Sequence, residues 1–569
     1  MNSQDERIAD ISSGWQEATP ENVPPVADRV VLRITGADYD ALRSHLIRRD
    51  REEYAAYLLA GTHEYEQDES TVFEYLIRDV VCIPPFRYTC HSSGYVGIPG
   101  DVTREMIADA GTEDRFTDDL AVLVAHSHPW SESPKYSVID DDAEPPQLMS
   151  ITADREGPHG SLVIGEDYSS ITGRAWPDDA RVVEEHGPPA ATPLDEVVIM
   201  DEHTERRVIP TDSRLSEETI RPDDSDVMRD RQALIHDEEG NDTLADAEVT
   251  IIGAGGLGSA IAVQLVHIGV GRDDGCLTMI DPDVVEESNR SRILGAKPED
   301  AGELSATPED DTVVPAKWAD EIEGLGTPKV EVVKRYVKSI DPRISVETIQ
   351  EVGQTKAGIE TIKTSDLVIT AVDRQTPRRI ISFACQQYHR ALVDAGVAID
   401  TDGAISIVSR MTMSRPDQPC LDCAGAINEE RLEREQHGDE DEAEYGIGQQ
   451  PAVMTVNMDA AQRAAFAVHR YFTGLLAGTG APFDTGTFDM TSNVTQPDST
   501  KSKRDCPYCH EESRFRALGD RAPDASKNLV RTAPAAVKIS DGKEAEIESV
   551  QKPDSFWKRL RTVVAGLVR

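Results

Sequence analysis

The chain has 569 residues, and its 58 lysines and arginines against 105 aspartates and glutamates leave a net charge of -47. So acidic a surface excludes general affinity for nucleic acid or an anionic membrane, and acidic partners are repelled as well. The length predicts three or four units at about 100 to 200 residues each, and four of the eight cysteines stand in two CxxC pairs, which points to metal binding in a reducing, cytoplasmic setting and not to a disulfide framework.

Basic charge is mostly arginine, with no lysine before Lys135, and acids are spread along the chain. That pattern suits a salt-adapted (halophile) proteome, with an ordinary acidic cytosolic protein as the alternative. Residues 1–28 carry proline and acids without apolar periodicity and read as a disordered arm, and they lack the basic-then-apolar order of a secretion signal. Structure is expected from Arg29: a strand over 30–34, a helix over 38–49, an apolar run over 53–59 that ends at Gly61, and strands over 73–84 and 120–125.

His126 and His128 follow the last of these strands, two residues apart in extended chain and so pointing to one side, with Pro129, Ser137 and Asp140 after them. Two histidines and an aspartate leave the fourth position of a tetrahedral zinc open for water, which implies hydrolysis. Asp141 and Asp142 are rival ligands. Strands over 162–164 and 170–176 complete a domain at 29–186, and 187–224, rich in proline and acids with one strand-like stretch at 196–200, reads as a linker.

From 225 to 516, strands alternate with helical stretches, as in a parallel sheet covered on both faces. Val249, Ile251 and Ile252 lead into Gly253, Gly255, Gly256 and Gly258, and an apolar helix follows through Val270. A glycine turn between strand and helix lets the backbone approach phosphates and aims the free N–H groups of the helix at their charge. A strand over 276–280 then ends in Asp281, where a dinucleotide fingerprint places its ribose-binding carboxylate, ~20 residues on. Asp283 and the cluster Ser288, Asn289, Arg290, Ser291 and Arg292 suit a triphosphate.

The acidic stretches 299–320 and 428–444 are expected to be surface insertions that do not pack. Cys420 and Cys423 pair with Cys506 and Cys509 as a closed four-sulfur site, hence a structural zinc. Residues 517–553 read as a linker and 554–569 as an amphipathic helix with Trp557, Leu560, Val564 and Leu567 on one face, suited to docking on a partner or the body, or to a membrane surface. No segment reads as a membrane span.

The region around the glycine turn resembles the HesA/MoeB/ThiF family, adenylyltransferases related to ubiquitin-activating enzymes, in its GxGGxG, Asp-x-Asp and Ser-Asn-x-x-Arg pattern. Lys329 after Gly326 resembles the family's Gly-x-x-Lys, Asp373 followed by Arg378 or Arg379 its metal-binding aspartate segment, and Arg231 with Gln232 its opening arginine-glutamine pair. The resemblance implies an α/β chain whose C-terminal part is a Rossmann-like, doubly wound adenylating domain using ATP and Mg2+. In it Gly253 to Gly258 hold the phosphates, Asp281 the ribose, Ser288, Asn289, Arg292 and Lys329 the triphosphate and departing pyrophosphate, and Asp373 the Mg2+. Arg231 matches an arginine that relatives supply across a homodimer. The implied substrate is a ubiquitin-like or sulfur-carrier protein ending in Gly-Gly.

The His-x-His-Pro and Ser-x-x-Asp order resembles the JAMM motif of JAB/MPN metallopeptidases, which cleave after ubiquitin-like tails. It implies an N-terminal JAB/MPN-type α/β domain with a catalytic Zn2+, with Ser137 steadying the oxyanion. It also implies a glutamate that moves the proton of metal-bound water: Glu53, before the apolar run to Gly61, with Glu52 as rival. The expected protein is a fused enzyme that activates a carrier and cleaves after its tail. The alternatives are a sulfur-transfer enzyme of thiamine, molybdopterin or cysteine biosynthesis and a non-catalytic scaffold. No cysteine lies between Cys423 and Cys506, so the adenylate is expected to pass directly to a sulfur donor, a conjugating protein or an amine.

Overall fold

The computed structural model describes residues 23–110 except 68, 120–152, 157–215 except 202, 228–302, 313–315, 326–437 except 402–404, 451–521 except 480–482, 484, 500, 511–512 and 514, and 536–538. The chain divides into two compact units, Met1–Asp224 with Arg514–Ala522, and Ser225–Ser513 with Pro523–Arg569. Most of the expected arm at 1–28, much of both acidic stretches, and the whole C-terminal helix at 554–569 lie outside the described residues.

Runs rich in Val, Ile, Leu and Tyr give the first unit its long strands β1 (Arg29–Thr35), β2 (Ala55–Gln67) and β3 (Ser70–Cys82). A small hairpin, β4 (Cys90–Ser92) and β5 (Tyr95–Gly97), follows, then β6 (Ala121–Ser127), β7 (His159–Ile164), β8 (Ile171–Trp176), β9 (Thr192–Pro193), β10 (Glu196–Met200) and β11 (Glu205–Val208). Among the described residues all but the hairpin join one mixed sheet in the order β11-β10-β1-β3-β2-β6-β7-β8-β9. The helix Gly36–Leu46 starts where the Thr35 side chain accepts the Asp38 N–H, and it buries Tyr39, Leu42 and Leu46 in the core of the sheet. It ends at Leu46, three residues short of the expected 49, because Ile47 is extended.

Two boundaries differ from the sequence reading. The strand expected at 196–200 forms as β10, buried throughout and parallel to β1, and β9 and β11 flank it where only linker was expected; Asp195 accepts the Val30 N–H at 2.8 Å and bonds Arg214. Residues 514–522, split in the reading between the adenylating domain and a linker, belong with the first unit. There Gly519 bridges Thr62, Arg78 donates to Arg516 O at 2.8 Å, and a Cβ on Gly61 would lie 2.1 Å from Ala517 O.

The second unit is a doubly wound α/β domain. Its sheet runs β15-β13-β12-β16-β17-β18-β19-β20 among the described residues, with β12 (Glu248–Ile252), β13 (Cys276–Ile280), β15 (Val346–Ile349), β16 (Leu367–Thr370) and β17 (Ala391–Asp400) parallel. Strands β18 (Ser406–Ser414), β19 (Gly486–Asp489) and β20 (Val494–Pro497) extend it antiparallel, and β14 (Val313–Pro315) pairs separately with β21 (Ala536–Lys538). From β12 the chain winds outward to β13 and β15, then returns to β16 on the other side. The crevice at this switch point, outside the strand ends, is where such sheets bind ligands.

The acidic stretches pack where they are described. Asp300 is 2% exposed and bonds Arg335, while in the helix Glu429–His437 Leu432 is buried and Glu435 accepts the N–H groups of Gln375 and Thr376 at 2.7 and 2.8 Å. Asp300 and Glu435 thus pair and cap, while Glu299, Glu429, Glu430 and Glu433 stand exposed.

Candidate functional site

The glycine turn lies at that switch point. Gly253 has φ +103°, and a Cβ on Gly258 would lie 1.7 Å from Gly253 O, so the helix Gly256–Ile268 can begin this close to β12 only with hydrogen at that position. Gly255 caps the helix without a side chain and has nothing within 4 Å of where its Cβ would stand, which leaves the helix N-terminus open to an anion. At the far end Arg229 donates to Val266 O and His267 O, and Gln232 to Ile268 O. Arg229 is 2% exposed and pairs with Asp341, a structural role that no local pattern announces.

Asp281 ends β13, but both of its oxygens hold backbone: Oδ2 accepts the Ala254 N–H at 2.6 Å and Oδ1 the Asp283 N–H at 2.9 Å. Burial, helped by Asp283 and opposed by Lys329, pushes its carboxyl up to about 6. Lys329 donates to Asp283 Oδ2 at 2.6 Å, and Asp281 and Asp283 raise its amine although burial opposes them. Val284 bridges Pro328, and the Lys329 N–H bonds Asp283 O, so residues far apart in sequence meet here.

Asn289 is buried, and its Oδ1 accepts the Glu286 N–H at 3.0 Å; Ser288 Oγ donates to Glu286, and Arg292 donates to Ser288 O. A Cβ on Gly256 would lie 3.1 Å from the Arg292 side chain, which places that arginine beside the start of the helix Gly256–Ile268. Asp373 follows β16 near the turn, where the Ala371 N–H bonds Ile252 O; it is exposed and has no hydrogen-bond or ion-pair partner among the described residues. Arg378 and Arg379 are committed elsewhere, to Asp394 and to Asp422. Arg231 is exposed two residues from Arg229, at the far end of a 13-residue helix, ~20 Å from the glycine turn of its own chain.

The four cysteines converge with Cys420–Cys506 at 3.8 Å and Cys509 at 3.5 Å from both Cys423 and Cys506. Four thiolates around one zinc at about 2.3 Å are ~3.8 Å apart, so the cluster fits that ion. The Lys503 N–H points at Cys423 Sγ, and Tyr508 stacks on Phe383 at 3.5 Å.

In the first unit, β2 pairs antiparallel with β6 so that Ala55 faces His126. This register sets Glu53, His126 and His128 on one face of the sheet. His126 Nε2 lies 3.2 Å from Asp140 Oδ1, and His128 Nε2 lies 3.5 Å from Asp140 Oδ2 and 3.9 Å from Glu53 Oε1. Ligand atoms of the two histidines and Asp140 lie within 4.8 Å of one another. His126 Nε2 is buried without a well-directed hydrogen bond, as expected of a group that faces a cation. The donor set fits zinc. Burial raises the Glu53 carboxyl, against the pull of His126 and His128. Burial also acts to raise Asp140, but the two histidines beside it outweigh that and hold the carboxyl low.

Ser137 is engaged at the start of the helix Val138–Thr152: its N–H donates to Asp140 Oδ2 at 2.6 Å, and its Oγ accepts the Asp140 N–H at 3.3 Å. Of the rival ligands, Asp141 is held by Arg174 at 2.8 Å. Glu52 pairs with His91, while the Glu53 N–H is tied to Ser92 O in the hairpin.

Residues 229–308 and 320–508 match the model of the ThiF family. A SAMP-activating enzyme E1 of Haloferax volcanii is 28% identical over 208 residues, 36% of this chain and 64% of the relative. A sulfur carrier protein adenylyltransferase of Thermus thermophilus is 27% identical over 185 residues, 32% of this chain and 58% of the relative. The chain thus matches about three-fifths of the length of these curated relatives. Among solved structures, E. coli MccB with ATP aligns with 50% of this chain and 75% of that one at 18% identity and a TM-score of 0.37.

Proposed function

We propose, starting from the ThiF-family match of the second unit, that this protein uses ATP to adenylate the C-terminal glycine of a ubiquitin-like or sulfur-carrier protein, and that its first unit is a zinc peptidase of JAB/MPN type acting at the tail of the same carrier. The observation that carries the reading is the meeting, at one switch point, of an uncapped helix N-terminus, Arg292, Lys329 and an unpartnered Asp373. The terminal carboxylate of the carrier bonds the α-phosphorus, and pyrophosphate departs. Lys329 and Arg292 meet the charge that develops on it, and Asp373 would hold Mg2+, which neutralises the same oxygens. Asp281 holds the turn and orients the ribose. Arg231 reaches the nucleotide only from a second copy, so a homodimer is part of this reading.

In the first unit His126, His128 and Asp140 would hold zinc, which supplies a water acidic enough to attack an amide. Glu53, 3.9 Å from His128, is the group placed to take up a proton and return it to the leaving amine. Ser137 keeps the ligand turn in place and presents its hydroxyl beside it.

Sulfur transfer is the second reading. The Thermus relative, a sulfur carrier protein adenylyltransferase, favours it, and so does the lack of a cysteine between Cys423 and Cys506. One experiment tests the reading and its branches. The full chain, ATP and candidate carriers, with and without an extension past Gly-Gly, are incubated and searched by mass spectrometry for carrier-AMP. AMP on no carrier sinks the adenylating reading. AMP on an extended precursor that still forms with His128→Ala, or never forms with wild type, sinks the maturation role. Cleavage of conjugates alone would make the peptidase the opponent of the activating unit.

A further inference from the structure

We propose that Arg174 is the positioning residue of the metal centre in the first unit, setting the rotation of the helix Val138–Thr152 so that Asp140, and not its neighbour Asp141, faces the two histidines. The inference rests on the reading of His126, His128 and Asp140 as metal ligands.

Three consecutive acids open this helix, and each is turned ~100° from the last. Which one meets the histidines is therefore a question of helix rotation. Arg174, on β8, grips the helix at two points around Asp140: Nη1 donates to Asp141 Oδ1 at 2.8 Å, while Nε and Nη2 donate to Glu144 Oε2 at 3.1 and 2.5 Å. Asp141 and Glu144 stand one and four positions after Asp140, so two fixed points on adjacent lines of the helix leave it no freedom to turn. Trp176, on the same strand, donates its indole N–H to Glu144 Oε1 at 2.6 Å and closes the clamp.

The same guanidinium also secures the approach from the histidines. It stacks 3.7 Å from the centre of the Tyr136 ring, whose hydroxyl bonds Ser161 Oγ at 2.8 Å, directly opposite Arg174 in the sheet. Arg174 and Glu144 are 8% and 7% exposed. A buried ion pair adds little stability over well-packed apolar residues, so its value lies in the geometry that it fixes. Planar arginine can bridge two carboxylates, whereas lysine, a point charge, cannot hold both in the same way.

The test uses the full chain with zinc kept in the cysteine site. Zinc affinity of the histidine site is measured by chelator competition, and cobalt placed there reports ligand number through its visible spectrum. Arg174→Gln is expected to weaken binding about ten- to hundredfold, the usual cost of losing a supporting contact behind a metal ligand, and to change the cobalt spectrum. Arg174→Lys should fall between it and wild type. Circular dichroism checks that each variant is folded, and if Arg174→Gln is not, Arg174→Lys decides. A folded variant with wild-type affinity and spectrum overturns the proposal. A wild type with only one zinc per chain, unaltered by His126→Ala, overturns the metal reading beneath it and the proposal with it.

Discussion

Tyr54 and Ser127 hold each other twice: the Ser127 N–H donates to Tyr54 O at 3.1 Å, and the Tyr54 N–H donates to Ser127 Oγ at 3.0 Å. Tyr54 follows Glu53, and Ser127 stands between the two histidines, so the glutamate and the histidine pair are tied as one piece. Ser127→Ala leaves the Tyr54 N–H buried and unpaired, at an expected cost of about 1 to 3 kcal/mol. Chemical denaturation reads that loss, while metal analysis should show the zinc content unchanged, because all three ligand side chains remain.

Glu53→Gln should keep zinc at the histidine site and lose cleavage of an extended carrier, since Glu53 lies beside His128 without completing the ligand set. Zinc analysis alongside a cleavage assay separates the two roles. Loss of the metal would make Glu53 a ligand, and unchanged cleavage would hand the proton to another group, Glu52 first.

Asp373→Ala and Lys329→Ala should each abolish ATP-pyrophosphate exchange with a Gly-Gly carrier, with zinc at the histidine site undisturbed because it lies in the other unit. Normal exchange by either variant refutes the role given to that residue.

Asp281 carries a pH dependence whose sign can be stated. Its carboxyl sits near 6 in the folded chain against an ordinary 3.8, so between these values the folded state binds more protons than the unfolded one. Its contribution to stability is greatest below that window and falls as pH rises through it. Denaturation midpoints of wild type and Asp281→Asn compared from pH 4 to 7 should show wild type losing ground to the variant as pH rises. Parallel curves would mean that the site does not titrate there.

Neither Cys276 nor Cys385 is placed to carry a thioester. Cys385 is 1% exposed, and burial pushes its thiol far up; Cys276 opens β13, at the end opposite Asp281, and burial raises it too. Cys276→Ser and Cys385→Ala should therefore retain carrier adenylation, and denatured reaction mixtures should contain no carrier thiol-linked to either residue. A hydroxylamine-sensitive adduct mapped to either residue would reverse that expectation.

The parts legible in the sequence are those whose geometry is set within a few residues. The glycine turn needs only its strand, its bend and its helix. The histidines need only the two-residue period of an extended chain, and each CxxC pair needs one tight turn. The alternation of elements after 225 was enough for a parallel α/β sheet, because a strand-helix-strand unit closes in one way. Tertiary structure alone decided what depends on pairing between distant segments. It added β9 and β11 around the strand at 196–200, sent 514–522 back to the first unit, brought Asp283 to Lys329 and put Arg174 against Asp141 and Glu144. None of these leaves a local period, since a lone arginine or aspartate reads the same whether it is solvated or holds a helix in place. What distinguishes them is burial beside a partner brought near by the order of strands in a sheet.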